Sequence, residues 1–405
     1  MPTNTERLEL RRKRMAESPA VLRGGFRPFF LGAALWAILA LAAWLAFLFG
    51  WSSQSFFDDP LAWHRHEMLF GFIGAAIAGF ALTAVPNWTG RLPIAGGPLA
   101  VLFGIWAAGR ILPFVLTDEN ILLIALDGGF YILLAGLLGR EILESGNRNL
   151  PVVAVIALFG VADLLDRAAM AGNTEIGAFG WRSGMALVVF LISVIGGRII
   201  PSFTRNWLAA RGATEPLPTQ PDLLDKLVLV LTLLALLLWL VAPSSLLAGT
   251  VLLLAAIAQV VRLLRWQGWK CHSSALVIVL HVGYLWLPTG LLLLGLAQLA
   301  VSPETSAIHA LSTGAMATMI LAVMSRASLG HTGRPLAASR GTAASYLLVT
   351  VAAITRVSAD FVVADQRTML AIAGAAWFGA FGLFLLQYVP ILCSARDDGT
   401  GEKRS

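Results

Sequence analysis

Apolar residues in this chain come in long blocks rather than in alternation. Mostly apolar runs begin near Phe29, Leu69, Leu99, Ile121, Pro151 and Ala178, and again near Leu227, Leu246, Ala275, Ile308, Ser345 and Met369. About 20 helical residues cross roughly 30 Å of hydrocarbon, so the pattern predicts about twelve spans. The expected fold class is all-α, a polytopic integral membrane protein. The expected organisation is a basic cytoplasmic segment over 1–25, a single transmembrane helical domain over 26–394 and a cytoplasmic tail over 395–405. No convincing internal repeat is seen, and no stretch remains for a soluble domain or a Gly-rich nucleotide loop.

The polar positions between the blocks divide into two kinds. One set carries the basic residues: Arg7 to Arg23 before the first span, then Arg91, then Arg140 and Arg148. The same set continues with Arg198 to Lys226, Arg262 to Lys270, Arg326 to Arg340, and Arg396 to Arg404. The other set reads SSQSFFDDP, TDEN, APSS and VSPET, with no Lys or Arg. Basic loops stay in the cytoplasm. Both termini are therefore expected inside, which requires an even number of spans. Arg167, Arg182 and Arg367 break the pattern. The N-terminus is polar and Arg-rich and leads directly into the first span, with no cleavable signal expected.

Composition adds little beyond this. Hydrophobic residues make up 58%, charged residues 13%, and mean hydropathy is +0.78. The net charge of +6 follows from the basic loops, and no nucleic-acid partner is expected. Cys271 and Cys393 stand far apart, so neither a disulfide framework nor a thiolate metal site is supported.

Histidine is the residue type that changes the picture. The chain has six. In FDDPLAWHRHEMLFGF, His64 and His66 stand at the outer start of the second span, and at a loop-to-helix junction both rings can turn inward. Met68 adds a thioether, a soft set that suits copper. The competing reading is an interfacial anchor beside Trp63. His309 lies about one turn into the tenth span from the same outer side, and these three can share a layer. His281 enters the ninth span from the inside, in VIVLHVGYLWLPTG, with Tyr284 three residues on. Buried in hydrocarbon, that ring needs a helix–helix hydrogen bond or a haem iron or metal.

Ionisable residues inside the spans add weight. Asp127, Asp163, Arg110 and Arg356 fall in outer halves. Arg110 and Arg356 either hold the propionates of a haem or form buried Arg–Asp bridges. At the inner ends, FRPFF, PNWTGR, GGRIIPSFTRN and SLGHTGR each place Gly or Pro beside an Arg. Such ends suit a phosphate or carboxylate, or are ordinary turns carrying the basic-loop signal.

FRPFFLGAALWA, WHRHEMLFGF, NWTGR, GGRIIPSFTRN, HVGYLW and HALSTGAMATMILAVMSRASLGHTGR together resemble the NnrS family, and the likeness runs from the first span to the tenth. That resemblance implies an integral membrane protein containing haem and copper, linked to nitric oxide metabolism and nitrosative stress in denitrifying and pathogenic bacteria. Laid over the residues, it makes His64, His66, His309 and Met68 the metal candidates. It makes His281, His309, Tyr284, Arg110 and Arg356 the haem candidates. His281 and His309 differ in depth by roughly 15 Å if their helices are straight, too far for one iron. The twelve spans also echo haem–copper oxidases and nitric oxide reductases, but the adjacent His-His pair and the His-x-x-x-Tyr of their dinuclear centre are missing.

Three functional classes are therefore expected to compete. The first is a haem- and copper-binding protein of the bacterial inner membrane that binds, senses or turns over nitric oxide or an iron–nitrosyl product. An oxidoreductase of this kind would draw electrons from quinol or a small carrier. The second is a secondary transporter using intramembrane Arg, Asp and His. The third is a cofactor-free assembly protein built on buried ion pairs. Apart from nitric oxide, membrane lipid is the partner expected in every case.

Overall fold

The computed structural model describes residues 4–51, 59–116, 121–172, 174–213, 216–362 and 365–397. The polar loops SSQSFFDDP and TDEN lie almost wholly outside the described residues. Among the described residues every regular element is helical. A surface helix α1 (Asn4–Glu17) precedes α2 (Phe26–Leu48), α3 (Pro60–His66), α4 (Gly74–Thr89), α5 (Gly97–Ile111), α6 (Ile121–Glu144), α7 (Leu150–Met170) and α8 (Thr174–Ala209). There follow α9 (Leu223–Val241), α10 (Leu246–Leu264), α11 (Ala275–Gln298), α12 (Glu304–His309), α13 (Thr318–His331), α14 (Arg340–Ser358) and α15 (Gln366–Cys393).

Eleven segments among the described residues are long and apolar enough to cross a membrane, two of them composite: α3 with α4, and α12 with α13. The helix expected as the remaining span is α7. It has 21 residues, but Asp163, Asp166 and Arg167 crowd its C-terminal half, which breaks the apolar run.

Each composite span contains a π-helical stretch, Glu67–Ile73 in one and Ala310–Ala317 in the other, and each begins immediately after a histidine. The second span starts well before Leu69 for a local reason. Asp59 caps it, its carboxylate accepting from the backbone N–H groups of Leu61 at 3.0 Å and Ala62 at 2.9 Å, and Pro60 occupies the first turn. His64 and His66 therefore sit on a formed helix rather than at a junction. Two residues apart on that helix, they point in different directions.

The chain folds into two compact units. The first comprises Met1–Gly184, Val323–Pro335 and Phe384–Ser405, and the second Met185–Ala322 and Leu336–Leu383. In the first, α2 packs on α4, α6 on α7 and α5 on α6. In the second, α10 packs on α9 and α11, and the π stretch after His309 packs on α11 and α14. Apolar residues cover the outside. On α9, Leu227, Val230, Leu234, Leu237 and Val241 are exposed at helical spacing, while Val228, Thr232, Ala235 and Trp239 are buried. This is the reverse of a water-soluble helix and fits lipid as the outer solvent.

Candidate functional site

The first unit buries eight ionisable side chains in one place. Span two contributes Arg65, His66 and Glu67, α5 contributes Arg110, α6 contributes Asp127, and α7 contributes Asp163, Asp166 and Arg167. Only Arg65 keeps appreciable side-chain exposure.

The bonding runs outward from His66. Its Nδ1 lies 2.9 Å from Asp166 Oδ2, and its Nε2 faces Asp163 Oδ1 at 3.4 Å and Asp127 Oδ2 at 3.5 Å. Arg65 donates to the other oxygen of Asp166 at 3.1 Å and rests over the Trp181 ring. Arg167 donates to Asp127 Oδ2 through Nε at 2.8 Å and Nη2 at 2.5 Å. Arg110 bridges Glu67 at 2.8 Å and Asp127, while Trp36 Nε1 donates to Glu67 at 2.9 Å. Among the described residues neither oxygen of Asp163 has a hydrogen-bond partner, and the residue is fully buried.

The π stretch makes this packing feasible. It leaves carbonyls for side chains to reach: Tyr131 donates to Phe70 O, and Trp106 donates to Gly71 O at 3.1 Å. Gly71 lets the cluster press onto the helix. A Cβ there would meet Glu67 Oε2 and Trp36 Nε1 at 2.7 Å and Arg110 Nη1 at 2.8 Å.

Charge counting gives the cluster its chemistry. Four carboxylates (Glu67, Asp127, Asp163, Asp166) face three guanidinium groups (Arg65, Arg110, Arg167). An uncompensated charge in a low-dielectric interior costs several kcal/mol. Electroneutrality is met when one proton resides among the remaining groups, and the His66–Asp163 contact is where it fits.

The model of the NnrS protein family matches residues 20–396. The chain belongs to the NnrS family. No curated protein matches it. As an NnrS protein it inherits the question of where its histidines stand.

His66 is inside the cluster just described. His64 is half-buried, with its ring stacked on Trp44 at 4.7 Å and 14°. Met68, also half-buried, lies within the π stretch. In the second unit, His281 is hydrogen-bonded on one edge and packed closely on the other. Its Nε2 lies 2.9 Å from Thr204 Oγ1, which donates to Ile200 O, and its ring lies so close to Gly268 that a Cβ there would overlap it. Tyr284 is not its partner. The phenol donates to Gln259 at 2.7 Å and accepts from Arg262 at 3.0 Å, and Arg262 pairs with Asp225 at 2.7 Å. Arg110 and Arg356 both have carboxylate partners, the latter Asp360 at 3.1 Å.

His309 differs from the others. Its Nδ1 lies 2.8 Å from Thr305 O one turn back, which fixes the proton on Nδ1, and its Nε2 has no hydrogen-bond partner among the described residues. Ligating histidines use this arrangement, a backbone carbonyl orienting the ring while the far nitrogen offers its lone pair. No group of three or more His, Cys, Asp or Glu among the described residues is spaced to hold a metal ion.

Sequence reasoning missed Arg65, Glu67, Asp166 and Arg167 as members of the cluster. Arg167 had a signal, since it broke the basic-loop pattern. It is an interior ion-pair residue rather than a loop charge.

Proposed function

We propose that this NnrS protein is a haem- and copper-binding protein of the bacterial inner membrane that acts in nitric oxide metabolism or nitrosative-stress resistance. Family membership supports the physiological setting. The observation that carries the cofactor reading is the orientation of His309, with Nδ1 tied to Thr305 O and Nε2 making no hydrogen bond among the described residues. Held this way, the neutral imidazole would ligate haem iron at the point where α12 passes into the π stretch. His64 and Met68 form a softer donor pair suited to copper. Haem with an open position supplies a centre that binds nitric oxide, and quinol or a small carrier would supply electrons. The protein's own part is to orient the imidazole, exclude water and keep a neutral interior around it.

The test is iron, haem and copper content of detergent-purified variants made with ample haem supply. His309→Ala is expected to lose haem, while His281→Ala, whose ring is held by Thr204, retains it at reduced stability. Haem retained in His309→Ala would remove this reading.

Secondary transport is favoured by one observation, the buried Asp163 with neither oxygen hydrogen-bonded beside His66. A carboxylate–imidazole pair that shares a proton within a membrane is a proton-coupling device. Proteoliposomes lacking haem would then move protons on addition of substrate, and Asp163→Asn would stop them. Proton movement unchanged in Asp163→Asn would remove this second reading.

A further inference from the structure

Four arginines of this protein are almost fully buried among the described residues: Arg27, Arg110, Arg167 and Arg262. Three have carboxylate partners, Arg110 with Glu67 and Asp127, Arg167 with Asp127, and Arg262 with Asp225. Arg27 has none. It is 4% exposed, and its Nη1 donates to two backbone carbonyls, Leu392 O at 2.7 Å and Ser394 O at 2.6 Å. Its Nε and Nη2 make no hydrogen bond among the described residues, and its guanidinium carbon lies over the Phe26 ring at 5.4 Å from the centroid. Neutral carbonyls orient a guanidinium but do not neutralise it, so a buried arginine with no anion is a conspicuous cost.

The missing anion has a place to sit. Arg27 lines a cavity of about 660 Å³ within the first unit, shared with Arg23, Arg91, Arg396 and His331. No Asp or Glu is among its lining residues. Arg91 uses only Nη1 on Glu141 and Glu144, which leaves the rest of its fork unengaged. Phe26, packed at a tilt on His331 with ring centroids 5.5 Å apart, adds an apolar wall. Three sequence-distant motifs converge here: FRPFF supplies Phe26 and Arg27, PNWTGR supplies Pro86, Asn87, Gly90 and Arg91, and SLGHTGR supplies His331. Basic-loop placement alone would scatter these residues, not assemble them around one cavity.

We infer that this cavity binds a phosphate-bearing anion, with Arg27 as its anchor and Arg91 and Arg396 completing the cradle. Forked guanidinium donors match the tetrahedral oxygens of phosphate, and the volume is that of an ordinary small-molecule site. The phosphate belongs to a lipid headgroup or to a soluble phosphate ester. Either enters from the end of the spans where the basic loops lie. The inference does not rest on the haem reading, because none of these residues is a proposed ligand.

Binding is measured on full-length protein in neutral detergent, by calorimetric titration and thermal shift. The lipid arm uses phosphatidylglycerol with phosphatidylcholine as control, and the soluble arm uses inorganic phosphate and adenosine monophosphate. Saturable binding in either arm supports the site and identifies the source. Arg27→Gln and Arg396→Gln are each expected to weaken it about tenfold or more, with haem content unchanged. Binding no better than the phosphatidylcholine control in one arm and none in the other would overturn the inference. So would unchanged affinity in folded Arg27→Gln and Arg396→Gln. If Arg27→Gln does not fold, because it also ties down Leu392 and Ser394, the exposed Arg396→Gln decides alone.

Discussion

Asp127 receives three guanidinium hydrogen bonds from two arginines and sits within 3.5 Å of His66. Asp127→Asn would leave Arg167 without its close carboxylate and Arg110 with Glu67 alone, and breaking a buried pair from one side costs about 3–5 kcal/mol. Thermal denaturation in detergent should show a large loss for this variant and a smaller one for Arg356→Gln, whose ion pair is partly exposed. Equal losses would mean that the cluster does not stabilise the fold. Gly71→Ala puts a methyl group against three polar atoms at 2.7–2.8 Å and is expected to cost about 1–3 kcal/mol. Gly104→Ala, with nothing within 4 Å, should be neutral or mildly stabilising. At this scale the sequence was legible in part. Asp127, Asp163 and Arg110 stood out because charges in apolar runs are rare. Glu67 and Asp166 did not, since their role depends on which way three helices face, and no periodicity in a nearly all-apolar span reports that.

The π stretches were invisible in the sequence for a related reason. An extra residue per turn changes which carbonyls are free, not which residues are apolar. Helix starts were more legible once capping was weighed: Asp59-Pro60 begins span two, and Asp222 begins α9 through a reciprocal capping box with Asp225. Arg265 donates to Asp222 and holds its carboxyl below the ordinary aspartate range. A depressed carboxyl contributes stability that is present above its unfolded value and is lost as pH falls through the folded one. The α9 cap should therefore survive at neutral pH and fail only in acid. Hydrogen exchange of the first turn of α9 should rise in Asp222→Ala at neutral pH to the level of the native protein in acid. No rise would show that the cap is dispensable.

Across the whole molecule, about twelve spans were read from hydropathy, and eleven segments satisfy length and apolarity with α7 as the exception. The exception is informative, because α7 carries three of the eight residues of the buried cluster. A helix that fails as a free-standing span is the one the interior needs. An even span number places both termini on one side, so reporter fusions at the N-terminus and after Arg396 should both be active in the cytoplasm. Opposite activities would require α7 not to cross. The division into two units had no counterpart in the sequence, where no repeat or linker marks it, since three of its four boundaries fall inside α8, α13 and α15.

Binding haem through His309 and meeting nitric oxide there is the role proposed for this NnrS protein. A reduced-minus-oxidised visible spectrum of the purified protein, recorded before and after adding nitric oxide, tests it most directly. The expected result is a Soret band that shifts with nitric oxide and is lost in His309→Ala. A featureless spectrum from protein made with adequate haem would contradict it.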